Sequence, residues 1–171
     1  SIDTRQIKKG NLFLTIKGKN FNGSEYIEDA LKKGARGIIS SSNFKKHKKK
    51  IIKVENELKF LNKFASKKRE ISTAKIFAIT GSAGKTSLKN LLSDLLSNYG
   101  DTFCSPKSYN NHYGVPLSLS HLTSRHKYGI FEVGMSKAGE INILSKMIKP
   151  EIAIITNIGE AHIENFKNLK G

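Results

Sequence analysis

The chain is short of cysteine, of acidic residues and of long apolar runs, and each shortage closes off a class of protein. Cys104 is the single cysteine in 171 residues, so no internal disulfide can form; a chain built this way suits a reducing compartment. No apolar stretch approaches the roughly 20 residues that a membrane-spanning helix needs. The opening Ser1-Ile2-Asp3-Thr4-Arg5 lacks the apolar centre of a signal peptide. These absences point to a cytoplasmic protein with no membrane insertion, long enough for one domain or two small ones with a real core.

Acidic residues number 14 against 30 Lys and Arg, a net charge of +16. Such a balance invites a nucleic-acid reading, so its distribution matters. Residues 1–72 hold 19 basic residues against 7 acidic, and the excess peaks at Lys45-Lys46-His47-Lys48-Lys49-Lys50 and at Lys67-Lys68-Arg69. Neither run is interleaved with the aromatics on which a single-strand binder stacks bases. The runs read as solvated faces, not as a nucleic-acid interface, and a basic surface would still steer a polyanionic small molecule.

What the chain has in quantity is alternation. Residues 11–16 read as a short strand, 18–23 as a polar loop containing Phe21, and 26–33 as a helix with Ser24 as N-cap and Gly34 as stop. Residues 37–40 read as a strand. A helix over 55–68 would place Leu58, Leu61, Phe64 and Ala65 on one face. Residues 1–72 thus form a small α/β unit, followed by a linker at 70–74. After it come a strand at 75–80, a helix striped with Leu88, Leu91, Leu92, Leu95 and Leu96 and ended by Gly100, a strand at 102–104, a short helix at 115–122, a strand at 128–133, a helix at 138–148 and a strand at 152–156. The fold class is therefore α/β: a small N-terminal α/β domain (1–72), then the first part of a parallel-sheet domain (73–171). Ligands of such a sheet bind at the strands' C-terminal ends.

Those ends carry the chemistry. Thr80-Gly81-Ser82-Ala83-Gly84-Lys85-Thr86-Ser87 joins an apolar strand to a helix start. Backbone N–H groups and the positive end of a helix dipole make an anion cradle there, Lys85 adds a mobile charge, and Thr86 can offer a hydroxyl to Mg²⁺. The longer phosphate-loop pattern has Gly where this chain has Ile79, so the loop is the short Gly-x-x-Gly-Lys-Thr form. Glu132 is acidic inside the apolar strand Ile130-Phe131-Glu132-Val133, a position that calls for an ion pair, an exposed edge or a metal. Thr156-Asn157-Ile158-Gly159-Glu160-Ala161-His162 follows the last strand. His162 can cap locally or join the hydroxyl of Thr86 and the carboxylate of Glu132 in a Mg²⁺–ATP site. Asn110-Asn111 lies in the long loop 105–113, where paired amides can read a ligand or simply build a turn.

Taken in order, these motifs resemble the Mur ligases of peptidoglycan synthesis: Thr80 to Thr86, Asn110-Asn111 with Gly114-Val115-Pro116-Leu117, Glu132-Val133-Gly134 with Gly139-Glu140-Ile141, and Thr156-Asn157-Ile158-Gly159 with Ala161-His162 and Glu164. The N-terminal Ser1-Ile2-Asp3-Thr4-Arg5, Gly10-Asn11-Leu12-Phe13 and Lys17-Gly18 with Phe21 and Gly23 resembles that family's uridine-nucleotide-binding domain. The resemblance implies ATP and Mg²⁺ as cofactors, UDP-N-acetylmuramoyl-peptide and D-alanyl-D-alanine as partners, and an ADP-forming amide ligation through an acyl phosphate by a monomer. It assigns residues 81–87 (Gly81, Ser82, Ala83, Gly84, Lys85, Thr86, Ser87) to ATP, and Thr86, Glu132 and His162 to the metal. Lys85, Glu132 and His162 become the catalytic group. Thr4, Arg5, Lys19 and Asn20 would lie near the uridine diphosphate, Asn110 and Asn111 near the muramoyl part. Ala83 stands where the family usually has Asn, and Ser87 where Thr is commoner. The family's carbamylated lysine, the rest of its central sheet and its C-terminal domain have no counterpart here, so the expectation is a fragment that does not ligate by itself. Two rival readings are the sister ligase that adds the third stem-peptide residue, which usually carries a Thr pair in place of Asn110-Asn111, and a phosphate-loop NTPase or kinase without ligase activity, which leaves residues 1–72 unexplained.

Overall fold

The computed structural model describes residues 1–18, 21–44 and 46–159. The chain divides into two compact units, residues 1–62 and Lys63 onward.

In the first unit three short parallel strands, β1 (Leu12–Leu14), β2 (Gly37–Ser40) and β3 (Ile51–Lys53), lie in the order β1-β2-β3. Helix α1 (Ile27–Lys32) connects β1 to β2, and Phe13, Ile27, Ala30, Ala35 and Ile38 form the core. Burying such side chains contributes about 1.5–3 kcal/mol for each large one. Ser24 does not cap α1. A 3-10 turn, Gly23–Tyr26, precedes the helix, and Asn22 caps that turn by accepting the Ser24 N–H. Strand β3 follows directly on the lysine run and ends in Lys53 itself, so its two isoleucines are too short an apolar run to stand out from the basic residues around them.

Helix α2 (Glu57–Ile71) runs through the 62/63 division and through Glu70 and Ile71, so the expected linker begins two residues later than 70. Asn56 caps it, its Oδ1 accepting the Lys59 N–H at 2.8 Å. Its buried stripe is Glu57, Leu61, Ala65 and Arg69, whereas Phe64, expected to face inward, is 45% exposed.

The second unit carries a four-stranded parallel sheet of order β5-β6-β4-β7, from β4 (Lys75–Thr80), β5 (Thr102–Cys104), β6 (Tyr128–Glu132) and β7 (Ile152–Ile155). β4 is central and reads as an unbroken apolar run because both its faces are covered. Phe77 and Ile79 pack with Leu88, Leu92 and Leu96 of α3 (Lys85–Ser97). Ile76 and Ala78 point the other way, into a core with Ala65 of α2, Val115 and Leu119 of α4 (Gly114–Leu119), and Leu144 and Ile148 of α5 (Glu140–Ile148). Leu91 and Leu95, expected on the buried stripe, are 67% and 54% exposed, because 88, 92 and 96 already fill the inward arc. α3, leaving β4, covers one face, and α5, leaving the neighbouring β6, covers the other. Adjacent strands whose connections depart to opposite faces open a crevice at their C-terminal ends.

Candidate functional site

Four segments converge on that crevice. The first is the loop between β4 and α3, where Gly81 has φ 130° and Gly84 φ 77°. A Cβ on Gly81 would sit 2.1 Å from Thr156 Oγ1, so positive φ and close approach both demand glycine. α3 begins immediately after Gly84 and aims its free N–H groups into the loop. Lys85 Nζ folds over the loop, donating to Gly81 O at 2.6 Å and Ser82 O at 3.2 Å.

The second is Glu132, which ends β6 and is only 1% exposed. Neither an exposed edge nor a simple surface ion pair accounts for it. The Thr86 hydroxyl donates to its Oε2 at 2.8 Å, and Asn110 Nδ2 donates to its Oε1 at 2.8 Å. Lys89 Nζ lies 3.7 Å from Oε2. The Glu132 N–H donates to Ser105 Oγ at 3.2 Å.

The third is the loop 105–113. It is pinned from below by Lys89, which donates to Ser105 O at 2.9 Å and to Lys107 O, and from the side by Gly134 N–H donating to Asn110 O at 2.8 Å. The two adjacent asparagines separate in role here. Asn110 meets Glu132, while Asn111 is a helix cap whose Oδ1 accepts the Tyr113 and Gly114 N–H groups at 3.0 and 2.9 Å.

The fourth is the segment after β7. Thr156 Oγ1 donates to Ala83 O at 2.6 Å, Asn157 Oδ1 accepts the Ala83 N–H at 2.9 Å, and Ser82 Oγ accepts the Gly159 N–H at 2.8 Å. Of the residues assigned to ATP, Gly81, Ser82, Ala83, Gly84, Lys85 and Thr86 build this loop, and Ser87 is exposed in the first turn of α3. His162 lies outside the described residues, as do Lys19 and Asn20.

A hard cation takes oxygen ligands, and Thr86 Oγ1 and Glu132 Oε2 meet that requirement side by side next to a phosphate cradle. Among the described residues no cluster of three or more His, Cys, Asp or Glu could hold a metal unaided. The donor set therefore fits a cation that also takes oxygens from a bound phosphate.

In the first unit, Thr4 is buried in the turn Thr4–Gln6, and its side chain bonds to Asp29. Arg5 is held outward by Asp3, with Nη2 2.8 Å from Oδ2 and Nε 3.0 Å from Oδ1. The same unit holds a buried polar group at the ends of β1 and β2. Thr15 Oγ1 is 3.0 Å from Glu57 Oε1 and 2.7 Å from Ser40 Oγ, and the Ser41 N–H donates to Glu57 at 2.6 Å. Burial pushes the Glu57 carboxyl up, but the Ser41 N–H, its own N–H and the hydroxyls outweigh it, leaving it below the usual carboxylate range.

The sequence profile of the Mur ligase middle domain matches residues 79–171, and that of the Mur ligase family, catalytic domain, matches residues 1–69. The chain belongs to the Mur ligase family. Among its relatives, the UDP-N-acetylmuramoyl-tripeptide–D-alanyl-D-alanine ligase of Rickettsia prowazekii is 44% identical over 98% of this chain. The Escherichia coli protein of the same name is 33% identical over 99%. The chain spans 37% of the length of each. Among solved structures, MurF from Acinetobacter baumannii superposes with a TM-score of 0.87 at 30% identity, covering 99% of this chain and 38% of that one. MurF ligase from Thermotoga maritima in complex with ADP gives 0.82 at 32% identity, covering 99% and 40%. The α/β class with parallel sheets agrees with these Mur ligase structures. No helix among the described residues is long and apolar enough to cross a membrane.

Lys89, Ser105, Thr156 and Asn157 are site residues that the motif reading assigns no role. Lys89 had a signal: it shares α3's inward arc with Leu92 and Leu96, where a lysine must find buried partners.

Proposed function

We propose that this chain is the uridine-substrate and ATP-binding part of a Mur ligase that joins D-alanyl-D-alanine to UDP-N-acetylmuramoyl-tripeptide, forming ADP and phosphate in the cytoplasm. The observation that carries the ATP half is the meeting of the phosphate loop, Thr86, Glu132 and Asn110 at the crevice between β4 and β6. The shared name of the two relatives described above, which states this substrate pair, carries the rest.

In this reading a carboxylate oxygen of the substrate attacks the γ-phosphorus of ATP, the bond to the β-phosphate oxygen breaks, and ADP leaves. The amine nitrogen then attacks the acyl carbon of the resulting acyl phosphate, phosphate departs, and the amine proton passes to solvent. The chain's own contribution is position and charge. The N–H groups at the start of α3 and the Lys85 ammonium hold the terminal phosphates. Thr86 and Glu132, with His162, would hold Mg²⁺, which supplies neutralisation of phosphate charge. Asn110 fixes the Glu132 carboxylate in the plane that meets Thr86. Thr4 and Arg5, with Lys19 and Asn20, belong to the uridine diphosphate end, where Arg5 is the cation for a phosphate. Asn111 supports the muramoyl side by capping α4. The first unit serves the uridine nucleotide and the second the ATP, the continuous helix Glu57–Ile71 belonging partly to each.

Thermal unfolding with ligands tests this. ATP with Mg²⁺ and UDP-N-acetylmuramoyl-tripeptide should each raise the melting temperature, since a ligand bound only by the folded chain at 100 times its Kd adds about 2.7 kcal/mol. A shift with ATP but none with the uridine nucleotide would favour a plain NTPase and overturn the ligase reading.

A further inference from the structure

Lys89 and Glu132 are each 1% exposed, and the ammonium lies 3.7 Å from the carboxylate oxygen that also takes the Thr86 hydroxyl. The rest of the ammonium is spoken for, since it donates to Ser105 O and Lys107 O. An ammonium has three donors and no acceptor; two go to these carbonyls, and the remaining side faces the carboxylate at an ion-pair distance of 3.7 Å, beyond hydrogen-bond reach. A surface lysine has no such constraint. This one is threaded through the base of α3 to reach the floor of the crevice.

We infer that Lys89 is a positioning residue that serves as the resident counter-ion of Glu132, so that the site takes its divalent cation together with a nucleotide and not from solution alone. The inference rests on the Mg²⁺–ATP reading above. Its physical basis is charge. Glu132 and Lys89 already cancel within a region closed to water, where charge interactions are stronger than at a surface. A bare dication at Glu132 Oε2 would meet one carboxylate and a fixed ammonium a few ångströms away. The phosphate oxygens of a nucleotide bring the additional negative charge that makes its arrival favourable. Lys89 also holds the carbonyls of 105 and 107, and therefore the loop that delivers Asn110 to the other carboxylate oxygen. One cation thus fixes both the charge and the orientation of Glu132.

The test is Mn²⁺ uptake by the full chain, followed by electron paramagnetic resonance, with and without a non-hydrolysable ATP analogue. The unsubstituted chain should take up Mn²⁺ tightly only when the analogue is present. Lys89→Met should bind Mn²⁺ without nucleotide roughly tenfold tighter or more, and adding Glu132→Gln should abolish that gain. Lys89→Gln, which can still donate to a carbonyl, should show the same direction and covers the case in which the methionine variant does not fold. A purely structural lysine predicts the reverse, weaker uptake in both variants. Equal Mn²⁺ affinity with and without nucleotide in the unsubstituted chain, or no tightening in the variants, overturns the inference. Absence of any analogue binding would instead sink the ATP reading, while the nucleotide-free variant arms still decide the role of Lys89.

Discussion

Gly81 shows how narrowly a single residue can be specified. Its φ of 130° and the 2.1 Å approach that a Cβ would make to Thr156 Oγ1 are independent demands. Gly81→Ala must push the loop off the end of β7, breaking the Thr156 and Asn157 hydrogen bonds. ATP affinity, read by calorimetry, should fall by at least about tenfold, as expected of about 1–3 kcal/mol of backbone strain. The sheet beneath should keep its circular dichroism. Asn110 and Asn111 differ in the same exacting way. Asn111→Ala should cost about 1 kcal/mol of stability by chemical denaturation, the typical worth of a helix cap. It should leave ATP affinity within twofold, because Asn111 does not touch Glu132. The sequence offered the pair without the distinction. Which asparagine faces Glu132 depends on the turn of the loop, and that is set by contacts from Gly134 and Lys89, far away in the chain.

At the scale of elements, strands were the most legible, because β2, β4 and β5 stand between clear turn signals. Helix faces were less so. Leucine is common enough on α3 that counting it overfills the buried arc, and the charged members of α2's stripe, Glu57 and Arg69, look like solvent positions until their partners are known. Arg69 closes the end of α5: Nε donates to Ile148 O at 2.6 Å, Nη2 to Lys149 O at 2.7 Å, and Nη2 pairs with Glu151 Oε1 at 2.8 Å. Arg69→Met keeps the stem but leaves those carbonyls unpaired, so a loss of about 2–3 kcal/mol is expected by denaturant titration. Glu151 in turn accepts the Ile76 N–H at the start of the central strand. Burial raises its carboxyl, but the Ile76 N–H and Arg69 outweigh this and hold it below the usual range. The folded carboxyl therefore releases its proton at lower pH than the unfolded one. Its contribution to stability is full above the ordinary glutamate pKa and fades as acid carries the pH down through the folded value. Glu151→Gln should flatten that acid limb in a melting-temperature series; an unchanged slope would show that other carboxyls dominate.

For the whole molecule, two halves with separate cores predict separable responses. A uridine nucleotide should protect amides around β1 and β2 from hydrogen exchange, and ATP those of β4, β6 and β7, with core protection reporting each unit's stability. Protection of only one half by both ligands would contradict the assignment. The division itself was harder to read. Composition changes at 70–74, yet Ala65 and Arg69 already belong to the second core, because a continuous helix hides a boundary that no glycine or proline marks.

The bonds from Ser82 and Ala83 to Asn157 and Gly159 span more than 70 residues of chain. During synthesis the loop emerges long before its partners, since residues leave the ribosome at about 5–20 per second and distant contacts form last. The nascent chain thus acquires strand, glycines and lysine early, but the brace that shapes them only when the end of β7 appears. On the proposed ATP reading, competence to hold a nucleotide comes late in the life of this polypeptide, and released chains truncated after Ile155 should retain ATP far less well than those extending beyond Gly159.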